Sequence, residues 1–208
     1  MKWSGLTAVV LASGPSLTTE QCETVAKWHA AGYGKAVAIN TTYERALFAD
    51  ALYACDHVWW AYHIKDVKRK FKGELWTQDR RSAEAYKLNH IPSRRSEKQG
   101  ISRDPAWVNQ GQTSTIQAIN LLYHWGVKKY ILLGCDAGVS PEGKTHWHES
   151  HVQKVDSPYG DWVRNFDRVA EDLGKDGVEI VNSTPDSRLH LPYVPLREAL
   201  NARSLFTS

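Results

Sequence analysis

The sequence predicts an α/β protein: a single domain built on a mostly parallel sheet with helices on both faces. Three observations lead there. Short apolar runs, TAVVL at 7–11, AVAI at 36–39, KYILL at 129–133 and VEIV at 178–181, lack the polar alternation of a half-exposed strand. Segments with helical spacing separate them, as in chains whose helices cross between parallel strands. The 208 residues, 42% hydrophobic and 24% charged, suffice for one core and match an ordinary globular composition.

In chain order, Thr7–Leu11 reads as the first strand, turned by Ala12-Ser13-Gly14-Pro15-Ser16. Thr18 and Gln21 stand at capping-box spacing before a helix to about residue 31, which Gly32–Gly34 ends. Ala36–Ile39 is a second strand, closed by Asn40-Thr41-Thr42. A short helix over Tyr43–Phe48 leads to a strand over Ala51–Cys55, ended by Asp56. Val58–Phe71 is helical, and Glu74–Thr77 and Leu88–Ile91 are short strands. Pro92–Trp107 mixes Arg94, Arg95, Lys98 and Arg103 with Ser, Gly and Pro, and reads as an irregular basic surface loop. Thr113 or Ser114 caps a helix to about Trp125 that places Ile116, Ile119, Leu122 and Tyr123 on one face. Lys129–Leu133 is a strand ended by Gly134-Cys135-Asp136, and a His-rich polar loop fills 138–156. Ser157-Pro158 opens a helix to about Gly174. Val178–Val181 is a strand ended by Asn182-Ser183-Thr184-Pro185, and a last helix covers Leu196–Arg203.

Composition narrows the function. The 26 Lys and Arg exceed the 23 Asp and Glu by too little to argue for nucleic acid. Basic residues around Lys65–Lys72 and Arg94–Arg103 do interleave with Trp59, Trp60, Trp76 and Trp107, so a nucleic-acid partner stays open beside the plainer reading, a solvated face. Cys22, Cys55 and Cys135 form neither a disulfide framework nor a CxxC pair, which fits a reducing, cytoplasmic compartment. The run Leu6–Ala12 is too short for an export signal, and no apolar stretch is long enough to cross a membrane.

In open α/β sheets ligands sit beyond the carboxyl ends of the strands. Here those ends read Ser13-Gly14-Pro15-Ser16, Asn40-Thr41-Thr42, Asp56, Gly134-Cys135-Asp136 and Asn182-Ser183-Thr184, all small or polar. The turn with Ser13, Gly14 and Ser16 is either a phosphate cradle or a plain strand-to-helix turn; it matches neither GxGxxG nor GxxxxGK[ST]. Asn40 can read a base or ribose edge, or make an Asx turn. Asp56 and Asp136 can hold a ribose hydroxyl or a magnesium ion, or cap a helix. Thr113 and Ser114 open a helix and form a second anion or sugar site, or an ordinary cap. The cluster His146-Trp147-His148-Glu149-Ser150-His151 offers general acid–base chemistry through His146 and His151, or a metal site, or only exposed loop histidines.

Several blocks carry a resemblance: VVLASGPSL at 9–17, INTTY at 39–43, DALYACDHVWW at 50–60, Thr77-Gln78-Asp79, residues 111–138 and Thr145–His151. Over nearly its whole length the chain resembles a family of small tailed-phage and prophage proteins labelled morphogenetic. It departs from them at Gln112-Thr113-Ser114, where they carry an Asn-Ser-Gly type turn, and at His148-Glu149-Ser150, where they often carry Phe-Gly-Asp. That family is similar, more distantly, to the bacterial sialyltransferases that use CMP-sialic acid. It is also similar to the motility accessory factor group, which includes hydroxymethylpterin pyrophosphokinases. The resemblance implies a Rossmann-like fold and a nucleotide bound at the strand-end loops.

The leading expectation is a nucleotide- or nucleotide-sugar-dependent transferase of phage type. Its ligand would span Gly14, Ser16, Asn40, Asp56, Ser114 and Asp136. His146 or His151 would serve as acid or base, and Thr113, Ser114 and the Gly14 backbone would stabilise phosphate charge. The rivals are a magnesium- and ATP-dependent pyrophosphokinase with Asp56 and Asp136 as ligands, and a non-catalytic nucleotide-binding or virion-associated protein.

Overall fold

A computed structural model describes residues 1–95, 100–148 and 157–201. Its elements run β1 (Thr7–Leu11), α1 (Thr19–Ala30), β2 (Lys35–Ile39), a 3₁₀ turn (Asn40–Glu44), β3 (Ala51–Tyr53), α2 (His57–Lys70), β4 (Glu74–Thr77), α3 (Arg80–Tyr86) and β5 (Asn89–His90). Then come β6 (Ser93–Arg94), β7 (Val108–Asn109), α4 (Ser114–His124), β8 (Lys129–Leu133), α5 (Tyr159–Lys175), β9 (Glu179–Asn182) and α6 (Leu196–Asn201). Seven strands form one sheet in the order β5-β4-β3-β2-β1-β8-β9, and each neighbouring pair is parallel. Strands β6 and β7 pair separately. Among the described residues no helix is long and apolar enough to cross a membrane.

The apolar strands are buried on both sides because each face is covered by its own helices. Val10, Ile39, Tyr53 and Leu132 point to a core closed by Ile116, Ile119 and Leu122 of α4 and Phe166, Val169 and Leu173 of α5. Their neighbours Val9, Leu11, Leu52 and Ile131 point to the other core, closed by Val25 and Trp28 of α1 and Trp60, Ile64 and Val67 of α2. The period of two that sorts these residues is that of the strand itself. Two-sided burial is why the strands show no polar alternation.

The capping box at α1 forms as expected: the Thr18 N–H donates to Gln21 Oε1 at 2.9 Å, and the Gln21 N–H donates to Thr18 Oγ1 at 3.2 Å. Three expectations are corrected. The helix expected over Tyr43–Phe48 is a 3₁₀ turn that starts earlier, at Asn40. Asn40 adopts φ 50°, which Asn tolerates better than most residues, so the chain turns as soon as β2 ends. Helix α3 was not anticipated; Asp79 caps it by accepting from the Ser82 N–H at 2.7 Å, and seven residues are too few to display a period. The basic stretch 92–107 is not simply a surface loop. Ile101 and Ser102 are buried, and the Asn120 side chain bonds both the N–H and the C=O of Ser102, at 2.8 and 2.9 Å. Part of its charge is spent internally, since Arg103 pairs with Asp176 at 3.0 Å; Lys98 lies outside the described residues.

Candidate functional site

Strand order reverses at β1: the chain builds outward through β2 to β5 on one side, then crosses to β8 and β9 on the other. The carboxyl ends of β1 and β8 therefore border the switch point of the sheet, the crevice where sheets of this kind bind ligands. The turn after β1 meets the turn after β8 there. The Gly14 N–H donates to Gly134 O at 2.8 Å. Ser16 donates to Asp136 twice, from its N–H at 3.2 Å and its hydroxyl at 2.9 Å. The fit requires glycine at 14, because a Cβ there would fall 1.9 Å from Asp136 Oδ2 and 2.4 Å from Gly134 O. Burial raises the Asp136 pKa above the ordinary carboxylate value, and the Ser16 hydrogen bonds only partly oppose it. In this arrangement the Gly14 and Ser16 N–H groups have protein acceptors, Gly134 O and the Asp136 carboxylate.

One strand over, Ser13 and Thr42 lock the ends of β1 and β2 together. Ser13 Oγ donates to Ile39 O at 3.1 Å and lies 2.9 Å from Thr42 Oγ1. Ser13 is buried, so its hydroxyl holds the rim together. Trp147 folds back onto this junction. Its N–H donates to Ser13 O at 3.2 Å, its indole N–H to Thr42 Oγ1 at 3.3 Å, and the Arg45 guanidinium lies 3.8 Å from its ring centroid. His146 is half-buried beside Trp147, with Nδ1 2.9 Å from Thr145 Oγ1 and its ring stacked on His148 at 5.1 Å. His151 lies outside the described residues.

Further along the same edge, α4 brings Ser114 to the ends of β2 and β3. Ser114 Oγ lies 3.3 Å from Asn40 Oδ1 and 3.0 Å from Cys55 Sγ, and it accepts from the Cys55 N–H at 3.3 Å. The positive end of the α4 dipole faces this group. Thr113 is the cap: its Oγ1 accepts from the N–H groups of Thr115 and Ile116 at 3.0 and 3.3 Å, so that hydroxyl serves the helix. Asp56 stands at the cap position of α2 but makes no capping bond, and its side chain is exposed. The neighbouring Cys55 thiol is pushed up to about 12, by burial first and by Asp56 second, so it stays protonated near neutrality.

The structure thus brings Gly14, Ser16 and Asp136 into one group and Asn40, Ser114 and Cys55 into another, with Asp56 next to the second. Asp56 follows β3 and Asp136 follows β8, three strand spacings or about 14 Å apart. Magnesium holds its ligands at about 2.1 Å, so these two carboxylates do not fit a shared ion. Sequence reasoning missed Thr42, Trp147 and Arg188. The Trp147 signal was available, an indole inside a polar His-rich loop; Arg188 carried none. Arg188 helps line a cleft of about 200 Å³ between the turn after β1 and the segment after β9, with Pro15, Asp136, Pro141, Pro185 and Asp186.

No protein-family model matches the sequence, and no curated protein matches it. Solved structures similar in fold include two glycosyltransferases. The MAf glycosyltransferase from Magnetospirillum magneticum AMB-1 superposes with a TM-score of 0.63 at 11% identity over 93% of this chain. This chain spans only about a third of that protein, 34% of its length. The sialyltransferase CstII from Campylobacter jejuni, solved with the substrate analogue cytidine-5'-monophosphate, gives 0.57 at 12% identity, covering 96% of this chain and 88% of CstII. The chain therefore has a Rossmann-like α/β fold of the kind found in these two glycosyltransferases.

Proposed function

We propose that this chain is a transferase that binds a nucleotide-sugar along the carboxyl edge of its sheet and passes the sugar to an acceptor hydroxyl. The single observation that carries the reading is a set of polar turns along one sheet edge, hydrogen-bonded in three groups, Ser114 with Asn40 and Cys55, Ser13 with Thr42, and Ser16 with Asp136, the last where strand order reverses. The glycosyltransferase fold and the nucleotide in the CstII structure support it.

On this reading Asn40 and Ser114 receive polar groups of the nucleotide, with the α4 dipole favouring its negative charge. Asp56 takes a ribose hydroxyl, and Ser16 and Asp136 mark the end of the site nearest the transferred sugar. The acceptor oxygen attacks the anomeric carbon, the bond from that carbon to the phosphate oxygen breaks, and His146 removes the acceptor proton or supplies one to the leaving phosphate. His151 is the alternative for that role. We read the chain as phage-type on its motif resemblance, and as cytoplasmic because its three cysteines are all free.

The test is thermal-shift and calorimetric screening against CMP-, UDP- and GDP-sugars and ATP, with and without magnesium. One class of nucleotide-sugar should raise the melting temperature without magnesium. S114A and N40A should each weaken that binding about tenfold, the loss of a hydrogen bond to a charged partner. A shift seen only with ATP and magnesium would replace this reading with the pyrophosphokinase. Nucleotide binding without turnover, unchanged by H146A and H151A, would leave a non-catalytic nucleotide-binding protein.

A further inference from the structure

The cleft at the β1–β8 end of the site has a lining of which the nucleotide reading uses only Ser16 and Asp136. Its charged side chains are one guanidinium, Arg188, and two carboxylates, Asp136 and Asp186. Arg188 and Asp186 make no ion pair among the described residues, with each other or with other side chains, so their hydrogen-bonding capacity faces the cleft and solvent. The rest of the lining is largely apolar and rigid, including Pro15, Pro141 and Pro185.

The polar groups are held from the backbone. The Arg188 N–H donates to Asp136 O at 3.0 Å, and Ser187 Oγ donates to Cys135 O at 2.7 Å, tying the segment after β9 to the end of β8. The Arg188 side chain lies against Gly138, where a Cβ would fall 2.8 Å from its Nε. Asp186 is fixed in the left-handed region at φ 53°.

This lining selects against a phosphate, which two carboxylates would repel more than one guanidinium attracts. It suits hydroxyl groups. A carboxylate accepts two hydroxyl donors and a guanidinium donates in a planar fork, so vicinal hydroxyls can bond to both. The proline surfaces suit the apolar C–H face of a sugar ring. A volume of about 200 Å³ admits a single ring, below the roughly 300–1,000 Å³ typical of drug-sized ligands.

We propose that this cleft is a sugar subsite: Asp186 and Arg188 hold the hydroxyls of one neutral pyranose ring, whose apolar face rests on the prolines. Its role as the acceptor subsite rests on the transferase reading above; its occupancy by a sugar does not. The position fits, because Ser16 and Asp136 form the wall shared with the crevice.

The test is amide chemical-shift titration of the full chain with methyl hexopyranosides, inorganic phosphate and CMP in separate arms. At least one glycoside should shift the amides of Gly138, Val139 and Arg188, and phosphate should not. R188A and D186N should each weaken the glycoside at least about tenfold. Both positions are exposed, and Asn keeps the tolerance for φ 53°, so unchanged melting temperatures will show that the fold is intact. If phosphate or CMP alone shifts these amides, if no glycoside does, or if R188A and D186N bind glycoside like the wild type, the proposal is overturned. If glycosides shift them while nucleotides leave Asn40 and Ser114 unmoved, the sugar subsite stands and the nucleotide reading falls.

Discussion

Gly14 shows how one missing side chain sets the geometry of the crevice. Its hydrogen atom leaves room for the Asp136 carboxylate, which in turn holds Ser16 by two hydrogen bonds. Alanine at this position would push Asp136 off Ser16 and press on the Gly134 carbonyl. G14A should therefore cost about 1–3 kcal/mol of stability, as overpacked sites do, measurable by urea unfolding. It should also weaken nucleotide binding more than the substitution S16A, which removes only one bond. From sequence, Gly14 was legible as a residue that lets something come close to the backbone. What comes close was not legible, because Asp136 lies 122 positions away and only the pairing of β1 with β8 unites them.

Helix α4 is the element that carries the site. Its apolar face is buried against the sheet, so its first turn is fixed beside the ends of β2 and β3. Thr113 closes that turn by satisfying two N–H groups that the helix leaves open. T113A should lower stability by about 1 kcal/mol and blunt ligand response by loosening Ser114, whereas T113S should restore both; circular dichroism on denaturant titration with a parallel binding assay will separate the two effects. This helix was legible because cap, period and stop signal agree along eleven residues. The loop with Trp147 was legible only as polar and His-rich. Its fold over the rim depends on a slot made by Ser13 of the turn after β1 and by Thr42 and Arg45 of the turn after β2.

At the scale of the whole molecule, His124 and Asp50 are among the groups that tie stability to pH. His124 is held neutral below its usual range: burial lowers its pKa, and its bond to the Ser102 carbonyl only partly opposes this. Its Nδ1 is buried with no hydrogen-bond partner among the described residues. The unfolded chain takes up a proton first, so this contribution is complete above 6.5 and is lost as pH falls from there through the lowered value. Asp50 acts in the same direction at lower pH. Burial opposes its ionisation, but Lys35, the Ala36 N–H and His29 together hold its pKa below 3.8. The melting temperature should thus begin to fall as pH drops below 6.5 and fall further in the acid range, and H124Q should flatten the first part of that fall.

The sequence by itself determined the class of fold, the central strands, the capped helices α1 and α4 and the polar character of the main strand ends, because these follow from local period and turn chemistry. It also determined that the polar turns share one edge, since parallel strands send all their carboxyl ends the same way. Only the tertiary structure decided which turns meet: Ser114 with Asn40 and Cys55, Ser16 with Asp136, and Asp56 apart from Asp136. The physical reason is strand order. Neighbours in a parallel sheet are chosen by crossovers that bury long-range apolar faces, and no local pattern encodes which strand will lie beside which.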